Sequence, residues 1–565
     1  MKEKYNYLLI ALLGGLFFVP FLGASHLFDW DEINFAESAR EMILTGNYST
    51  VQINYQPFWE KPPLFFWMQV LAMKAFNVFS DTSGFSPEFG ARFPNAMIGI
   101  ATLLVFYSIG KKLYNSKFGL LWAIAYLGSF TPHLYFKSGI IDPTFNLFIF
   151  LGVWFLARII TPINNSPAMG LKGAILSGLF IGLAILTKGP VGGLLWGLTF
   201  LSFWGAGGFK IQFLLNSIKP VLVSIGVAFL VACIWFGLSI YENGIALFQD
   251  FIAYQIRLLT TGDAGHEQPF YYHFLVVLLG CFPISVFAIR NLGFVKVPKT
   301  NVSSSDAEVW ADTIFRKWMI VLFWVVMILF TIVKTKIVHY SSMAWFPVSF
   351  LAAHTLYQWL AGKFKWNNWL SFGVIFIGGL MAIALALVPI VGMYSDHITP
   401  FIKDSFVVGN LQAPVQWSGT EPFIGLIYFA AIFLFFHFRK KEKKSLALYM
   451  LFFGTAITLF VYSAIVVTKI EGYTQRTAID FYESHRGQDI YIEPLGFKSY
   501  AHLFYFRKPV PAKLKYRNGE EVLNAPKLDK PAYFVMKVDA GDDLKYHPNL
   551  VLIKEENGFL FYRRK

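Results

Sequence analysis

Apolar runs of about 18 residues or more recur from Leu8 to Val467, and a run of that length crosses the roughly 30 Å hydrocarbon core of a bilayer as a helix. In hydrocarbon each backbone N–H and C=O must be satisfied within its own segment. A chain so patterned can fold only as a polytopic α-helical membrane protein. Charged residues make up 15% of the 565, against about 25% in soluble domains. Cys233 and Cys281 both fall inside apolar runs, which fits packing rather than a disulfide framework. The net charge of +14 is read as basic loops that set topology, so no nucleic-acid partner is expected.

Hydropathy predicts thirteen spans, at about 7–24, 91–110, 118–136, 142–160, 171–187, 190–207, 220–240, 270–289, 318–333, 341–361, 369–394, 422–438 and 446–467. The first follows Lys2 and Lys4 and is expected to be retained, with a cytoplasmic N-terminus, rather than cleaved as a signal peptide. Basic residues then collect on one side, in Lys111–Lys117, Arg158 and Lys172, Lys210 and Lys219, Arg290–Lys317, Lys363 and Lys365, and Arg439–Lys444. The positive-inside rule assigns that side to the cytoplasm. Asp29, Asp31, Glu32, Glu60, Asp142, Lys188, His266 and Lys336 fall on the opposite side. Residues 1–467 are therefore expected to form a transmembrane domain, and the polar tail 468–565 a small extracytoplasmic α/β domain without a catalytic role. Its β-prone runs are Asp489–Ile492, Ala532–Val538 and Leu550–Ile553.

The first loop, 25–90, is too long for a plain connector and too aromatic for disorder. Within it, 31–46 predicts a short helix lying along the membrane surface, with Ile33, Ala36, Ala39 and Ile43 on one face and Gly46 as its stop. Asp31 and Glu32 are neighbours about 100° apart on that helix, so one can act while the other caps it. Glu60-Lys61 precedes an apolar run, Leu64–Phe79, expected to be re-entrant or interfacial because a full crossing would invert the charge pattern. That pair is either part of a site or a plain interfacial ion pair. Asp142 ahead of Pro143 fits a helix start, and Lys188 fits a snorkelling helix end, as well as functional roles.

Taken in order, Asp31-Glu32, Glu60-Lys61-Pro62, Gly90-Ala-Arg92, Ile141-Asp142-Pro143, Leu186-Thr-Lys188-Gly189-Pro190, His266 before Pro269, and Lys334 through Tyr340 resemble the bacterial branch of the protein O-mannosyltransferase superfamily, and the lipid A aminoarabinose transferases in particular. The resemblance implies the GT-C fold, with thirteen spans and a small periplasmic domain. It also implies a multi-pass enzyme of the bacterial inner membrane, with its site on the extracytoplasmic face. Such an enzyme moves a sugar from a polyprenyl-phosphate donor to an acceptor hydroxyl on lipid A, another envelope glycan or a protein. By the same resemblance Asp31 is the catalytic base and Asp142 a second acid placing donor or acceptor, while Glu32, Lys61, Lys188 and Tyr340 contact substrate. Glu60 and His266 would hold a divalent, zinc-like ion. Glu267 follows His266 where those transferases carry arginine, so Arg257, Lys334 or Lys336 is expected to supply the missing phosphate contact. Phe58 stands where they carry tyrosine. A non-enzymatic glycolipid transporter or an envelope scaffold is the alternative, and a transporter would place its charges in mid-span.

Overall fold

The computed structural model describes residues 3–163, 169–260, 268–293, 307–511 and 515–565. Helices dominate, beginning with α1 (Glu3–Phe18), α2 (Asp31–Thr45), α3 (Leu64–Ala75), α4 (Pro87–Leu113), α5 (Ser116–Leu127), α6 (Phe130–Tyr135), α7 (Asp142–Ile160), α8 (Gly170–Lys188), α9 (Val191–Ala206), α10 (Ile211–Asn243) and α11 (Ile245–Thr260). Among the described residues, eight helices are long and apolar enough to cross a membrane, fewer than the thirteen runs expected. The difference lies partly in breaks. The run 118–136 divides into α5 and α6 around Gly128, and 270–289 divides into Tyr272–Gly280 and Ile284–Ile289 at Pro283, where proline cannot continue the hydrogen-bond ladder. The run 341–361 opens as a 3-10 turn, Val338–Ala344, before helix Trp345–Leu360.

Helices meet where side chains are small, since helix association in lipid rests on close packing. A Cβ added at Gly178 of α8 would sit 2.4 Å from the Ser224 carbonyl oxygen on α10, and one at Gly119 of α5 would sit 2.5 Å from that of Tyr107 on α4. Outward faces stay apolar, with Leu222, Phe229, Leu230 and Ile234 of α10 exposed as lipid-facing residues would be.

The helix of the first loop forms as α2, and Gly46 ends it in the left-handed conformation (φ 70°). It does not lie on a surface: every residue from Glu32 to Met42 is buried, polar ones included. Phe35 packs edge-on to Phe65 and Phe66 of α3, while the polar side meets the C-terminal domain. There Arg40 binds Glu37 through two 2.7 Å bonds and donates to the Lys508 carbonyl at 3.0 Å. A hairpin joins β1 (Gln52–Ile53) to β2 (Gln56–Pro57), with Asn54 and Tyr55 both at positive φ, as its two-residue turn requires. At 12 residues, or about 18 Å, α3 is too short to cross, in line with an interfacial segment.

After helices Phe423–Lys440 and Lys444–Ile465, the tail builds a four-stranded sheet in the order β3-β4-β6-β5 from β3 (Tyr491–Pro494), β4 (Ala532–Lys537), β5 (Leu550–Glu556) and β6 (Phe559–Arg564). β3 and β4 are parallel and the other pairs antiparallel. The sheet's own small core includes Phe534, Met536 and Leu560, but helices Arg476–Ser484 and Ala501–Phe506 share the core of the membrane part. The tail is thus bolted to the first loop. Tyr505 accepts the Leu27 N–H at 2.7 Å, Gln475 donates to the Leu27 carbonyl, and Lys508 reaches both Asn54 (2.9 Å) and Glu493 (3.0 Å).

Candidate active site

The first loop and the ends of α7 and α8 converge on a cavity of about 1030 Å³. Its wall is drawn from residues within the stretches Phe28–Phe35, Phe58–Lys61, Leu134–Asn146, Lys188–Leu195 and Phe330–Met343, with Arg92 and Tyr254. Asp31, Glu32, Glu60, Lys61, Asp142, Lys188 and Tyr340, scattered over 310 positions of sequence, all reach it. Most of the surface between them is apolar, through Val191, Leu194, Leu195, Phe330 and Val333.

Helix ends supply the chemistry. Asp31 and Asp142 are the first residues of α2 and α7, where the partial positive charge of a helix N-terminus favours a carboxylate. Lys188 is the last residue of α8, where a cation is favoured. Lys188 Nζ lies 2.5 Å from Asp142 Oδ1, and its ammonium also sits over the Tyr340 ring, 5.3 Å from the centroid. Lys61 lies over the Tyr254 ring at 5.0 Å. Desolvation holds the Lys61 ammonium below the usual lysine range, with Lys188 adding to the effect while Glu60, Asp31 and Asp142 oppose it. A cation poorly solvated by its surroundings, facing an open cavity, is suited to an anionic ligand.

The adjacent carboxylates separate cleanly. Glu32 accepts Arg92 Nε at 2.9 Å and Nη2 at 2.8 Å, the Phe28 N–H at 2.9 Å and the Gly139 N–H at 2.5 Å. Burial alone would raise its pKa, but Arg92 and these N–H groups lower it. All of its strong acceptor directions are engaged within the protein, so Glu32 is a clamp between α2, α4 and the start of α7 rather than a ligand-contacting group. Asp31 has no hydrogen bond among the described residues, and His339 Nε2 lies 3.9 Å from its Oδ2.

Two expected phosphate contacts lie elsewhere. Thr335 and Ile337 line the cavity, but Lys336 between them is buried beside His273, because successive residues of an extended stretch point to opposite sides. Arg257 is exposed on α11, over the Tyr254 ring at 5.2 Å, and among the described α11 side chains it is Tyr254 that lines the cavity. His266 lies outside the described residues. Conversely, four wall residues carry roles that sequence pattern did not single out: Arg92, His339, Tyr135 and Lys137. The first two stood inside quoted motifs, Gly90-Ala-Arg92 and Lys334 through Tyr340, without a role. Lys137 donates to the Phe17, Phe18 and Pro20 carbonyls at the end of α1 (3.2, 3.4 and 2.6 Å).

Residues 60–238 match the family model of dolichyl-phosphate-mannose-protein mannosyltransferases. The chain is similar to the undecaprenyl phosphate-alpha-4-amino-4-deoxy-L-arabinose arabinosyl transferase 1 of Proteus mirabilis, 25% identical over 63% of this chain and 60% of that one. It is also similar to the corresponding transferase of Pectobacterium atrosepticum, 24% identical over 77% of this chain and 72% of that one. The chain thus matches only about 60% of the length of the Proteus relative. Among solved structures, ArnT from Cupriavidus metallidurans bound to undecaprenyl phosphate superposes with a TM-score of 0.74, covering 99% of this chain and 98% of that one at 15% identity. From its first helix to its last strand, the chain shares the fold of that structure, the GT-C membrane fold expected from its sequence.

Proposed function

We propose that the protein is a glycosyltransferase of the bacterial inner membrane, carrying a sugar from a polyprenyl-phosphate donor to an acceptor hydroxyl on the extracytoplasmic side. One observation carries the reading: a single, largely apolar cavity brings together Asp31, whose carboxylate has no hydrogen bond among the described residues, and two lysines, Lys61 and Lys188. The names of the matched relatives and of the undecaprenyl-phosphate-bound neighbour support it. So does the clustering of basic residues in the loops assigned to the opposite side.

In this mechanism Asp31 takes the acceptor O–H proton as that oxygen bonds to the donor's anomeric carbon. The bond from that carbon to the phosphate oxygen breaks, and its electron pair stays on the leaving polyprenyl phosphate. Lys61 and Lys188 stabilise the growing phosphate charge, worth most in a site with little water. Lys188 has three donors, so it can keep Asp142 while contacting phosphate. Tyr340 and Tyr254 shape the same end. The isoprenoid tail lies along the apolar wall. Lipid A, another envelope glycan and a protein hydroxyl remain the acceptor classes.

A zinc-like ion at Glu60 and His266 is proposed on resemblance alone. Carboxylate and imidazole suit such an ion, but among the described residues no group of three His, Cys, Asp or Glu is assembled.

A transporter would need charges along a path through mid-span, whereas Asp142 and Lys188 sit at helix ends. The deciding experiment incubates the purified protein with a labelled polyprenyl-phosphate sugar and envelope extract. Transfer by the wild type and its loss in Asp31→Asn, with insertion intact, is the expected result. Full transfer by that variant would remove Asp31 as the base.

A further inference from the structure

We propose that His339, itself held by Tyr135, is the positioning residue of Asp31; this rests on the reading of Asp31 as the base. Little else holds Asp31. Its backbone is fixed at the first turn of α2, because Glu32 next to it is clamped by Arg92. Its own carboxylate is one-third exposed and has no hydrogen bond among the described residues. The charges acting on it include Lys61, and a base drawn onto a cation would point away from the acceptor and lose basicity. A group beside the carboxylate must hold it.

His339 stands there. Its Nε2 is 3.9 Å from Asp31 Oδ2, within ion-pair range and about 1 Å beyond hydrogen-bond length. Its Nδ1 is hydrogen-bonded to the Tyr135 hydroxyl. Tyr135 is buried, and its ring packs edge-on to Trp345 at 4.6 Å, so it is a fixed anchor. His339 is the second residue of the 3-10 turn Val338–Ala344, whose Ser342 hydroxyl donates back to the His339 carbonyl at 2.6 Å and accepts Asn146 at 2.9 Å, tying the imidazole's backbone to α7. A tyrosine that donates to Nδ1 leaves the imidazole proton on Nε2, the nitrogen that faces the carboxylate. The order is an acid, a histidine that orients it and a buried hydroxyl that orients the histidine. This is the general logic by which a reacting group is held by a second and the second by a third. Both His339 and Tyr135 line the cavity, so the imidazole reaches Asp31 through the site itself.

The test is a mutant cycle on the full-length protein in detergent or proteoliposomes, with a labelled polyprenyl-phosphate sugar as donor. His339→Ala is expected to lower kcat about 100-fold, the cost of misplacing a reacting group by about 1 Å, with donor KM unchanged. His339→Gln, which can present an N–H where Nε2 stood, should recover part of that loss. Tyr135→Phe should lower kcat less, and should add nothing in the His339→Ala background, since coupled residues are not additive. A raised KM at unchanged kcat, or additive losses, overturns the proposal. Ring ¹⁵N spectra of histidine-labelled protein read the contact without turnover. The His339 signals should show a bare Nδ1 and a protonated Nε2, and should move in Asp31→Asn and in Tyr135→Phe. Signals indifferent to both variants overturn it. Absence of wild-type turnover with signals that do move would instead overturn the donor reading alone.

Discussion

Glu32→Gln removes one charge and no volume, and it should destabilise the protein while its neighbour Asp31→Asn does not. The magnitude follows from the four bonds. Arg92 Nε and the Gly139 N–H converge on Oε1, and Arg92 Nη2 and the Phe28 N–H on Oε2. A glutamine keeps one oxygen, so its NH₂ must face two donors whichever way it turns. Two buried donors left unsatisfied cost about 1–3 kcal/mol each, or about 2–6 kcal/mol together. That brackets the about 3–5 kcal/mol expected on breaking a buried ion pair. Arg92 stays pinned by the Leu22, Ser25 and His26 carbonyls at 2.8–2.9 Å, so it cannot escape to water. Chemical denaturation in detergent, followed by tryptophan fluorescence and by proteolysis of the first loop, reads the difference. Glu32→Gln should unfold at clearly lower denaturant and expose the loop to protease. Asp31→Asn should unfold like the wild type and lack transfer. A Glu32→Gln protein as stable as the wild type but inactive would refute the division, and would return Glu32 to the reacting groups.

Other consequences follow from the same contacts. Lys188→Met should abolish most transfer, and adding Asp142→Asn should cost little more, because the two form one ion pair at 2.5 Å; additive losses in turnover would separate them. Glu493 is buried, which alone would raise its pKa, but Lys508 and His502 bring it down to about 2. A carboxyl depressed in the folded state adds stability that is present above its ordinary value of 4.5 and is lost as pH falls toward 2. Docking of the tail on the first loop should therefore weaken on acidification, and Glu493→Gln should flatten that dependence, as measured by protease cleavage near residue 508 against pH.

Reading the chain as sequence reached the membrane class, the helix 31–46 and the cluster Asp31, Lys61, Asp142, Lys188 and Tyr340, because those rest on length, periodicity and ordered motifs. It missed what depends on contacts between distant segments. Glu32 and Arg92 are 60 positions apart, and nothing local says that one will neutralise the other. Lys336 was expected at the phosphate because it lies near Tyr340 in sequence, yet one residue of extended chain turns it away from the cavity. The strand Phe559–Arg564 carries no alternating signal in the sequence, because its buried run Phe559–Tyr562 is continuous.

The placement of α2 shows why the largest of these misses mattered. Its helix was legible, and its apolar face suggested a membrane surface, because Glu37, Arg40 and Glu41 looked like a solvated side. In the fold that side is buried under the C-terminal domain, where Glu37 neutralises Arg40 and the Lys508 carbonyl takes a further bond. Buried charges persist only where partners meet them, so the polar face of α2 is a docking surface for residues some 460 positions later. Asp31 opens that same helix. The tail was expected to be a soluble appendage, yet it holds the element that carries the proposed base. It also backs the cavity wall, since Trp30 rests on Tyr500 at 5.1 Å and Asp29 is bonded to Ser499. A chain cut before Arg476 should therefore insert its helices and still lose transfer. Full transfer by that truncated chain would show that α2 stands without its cover.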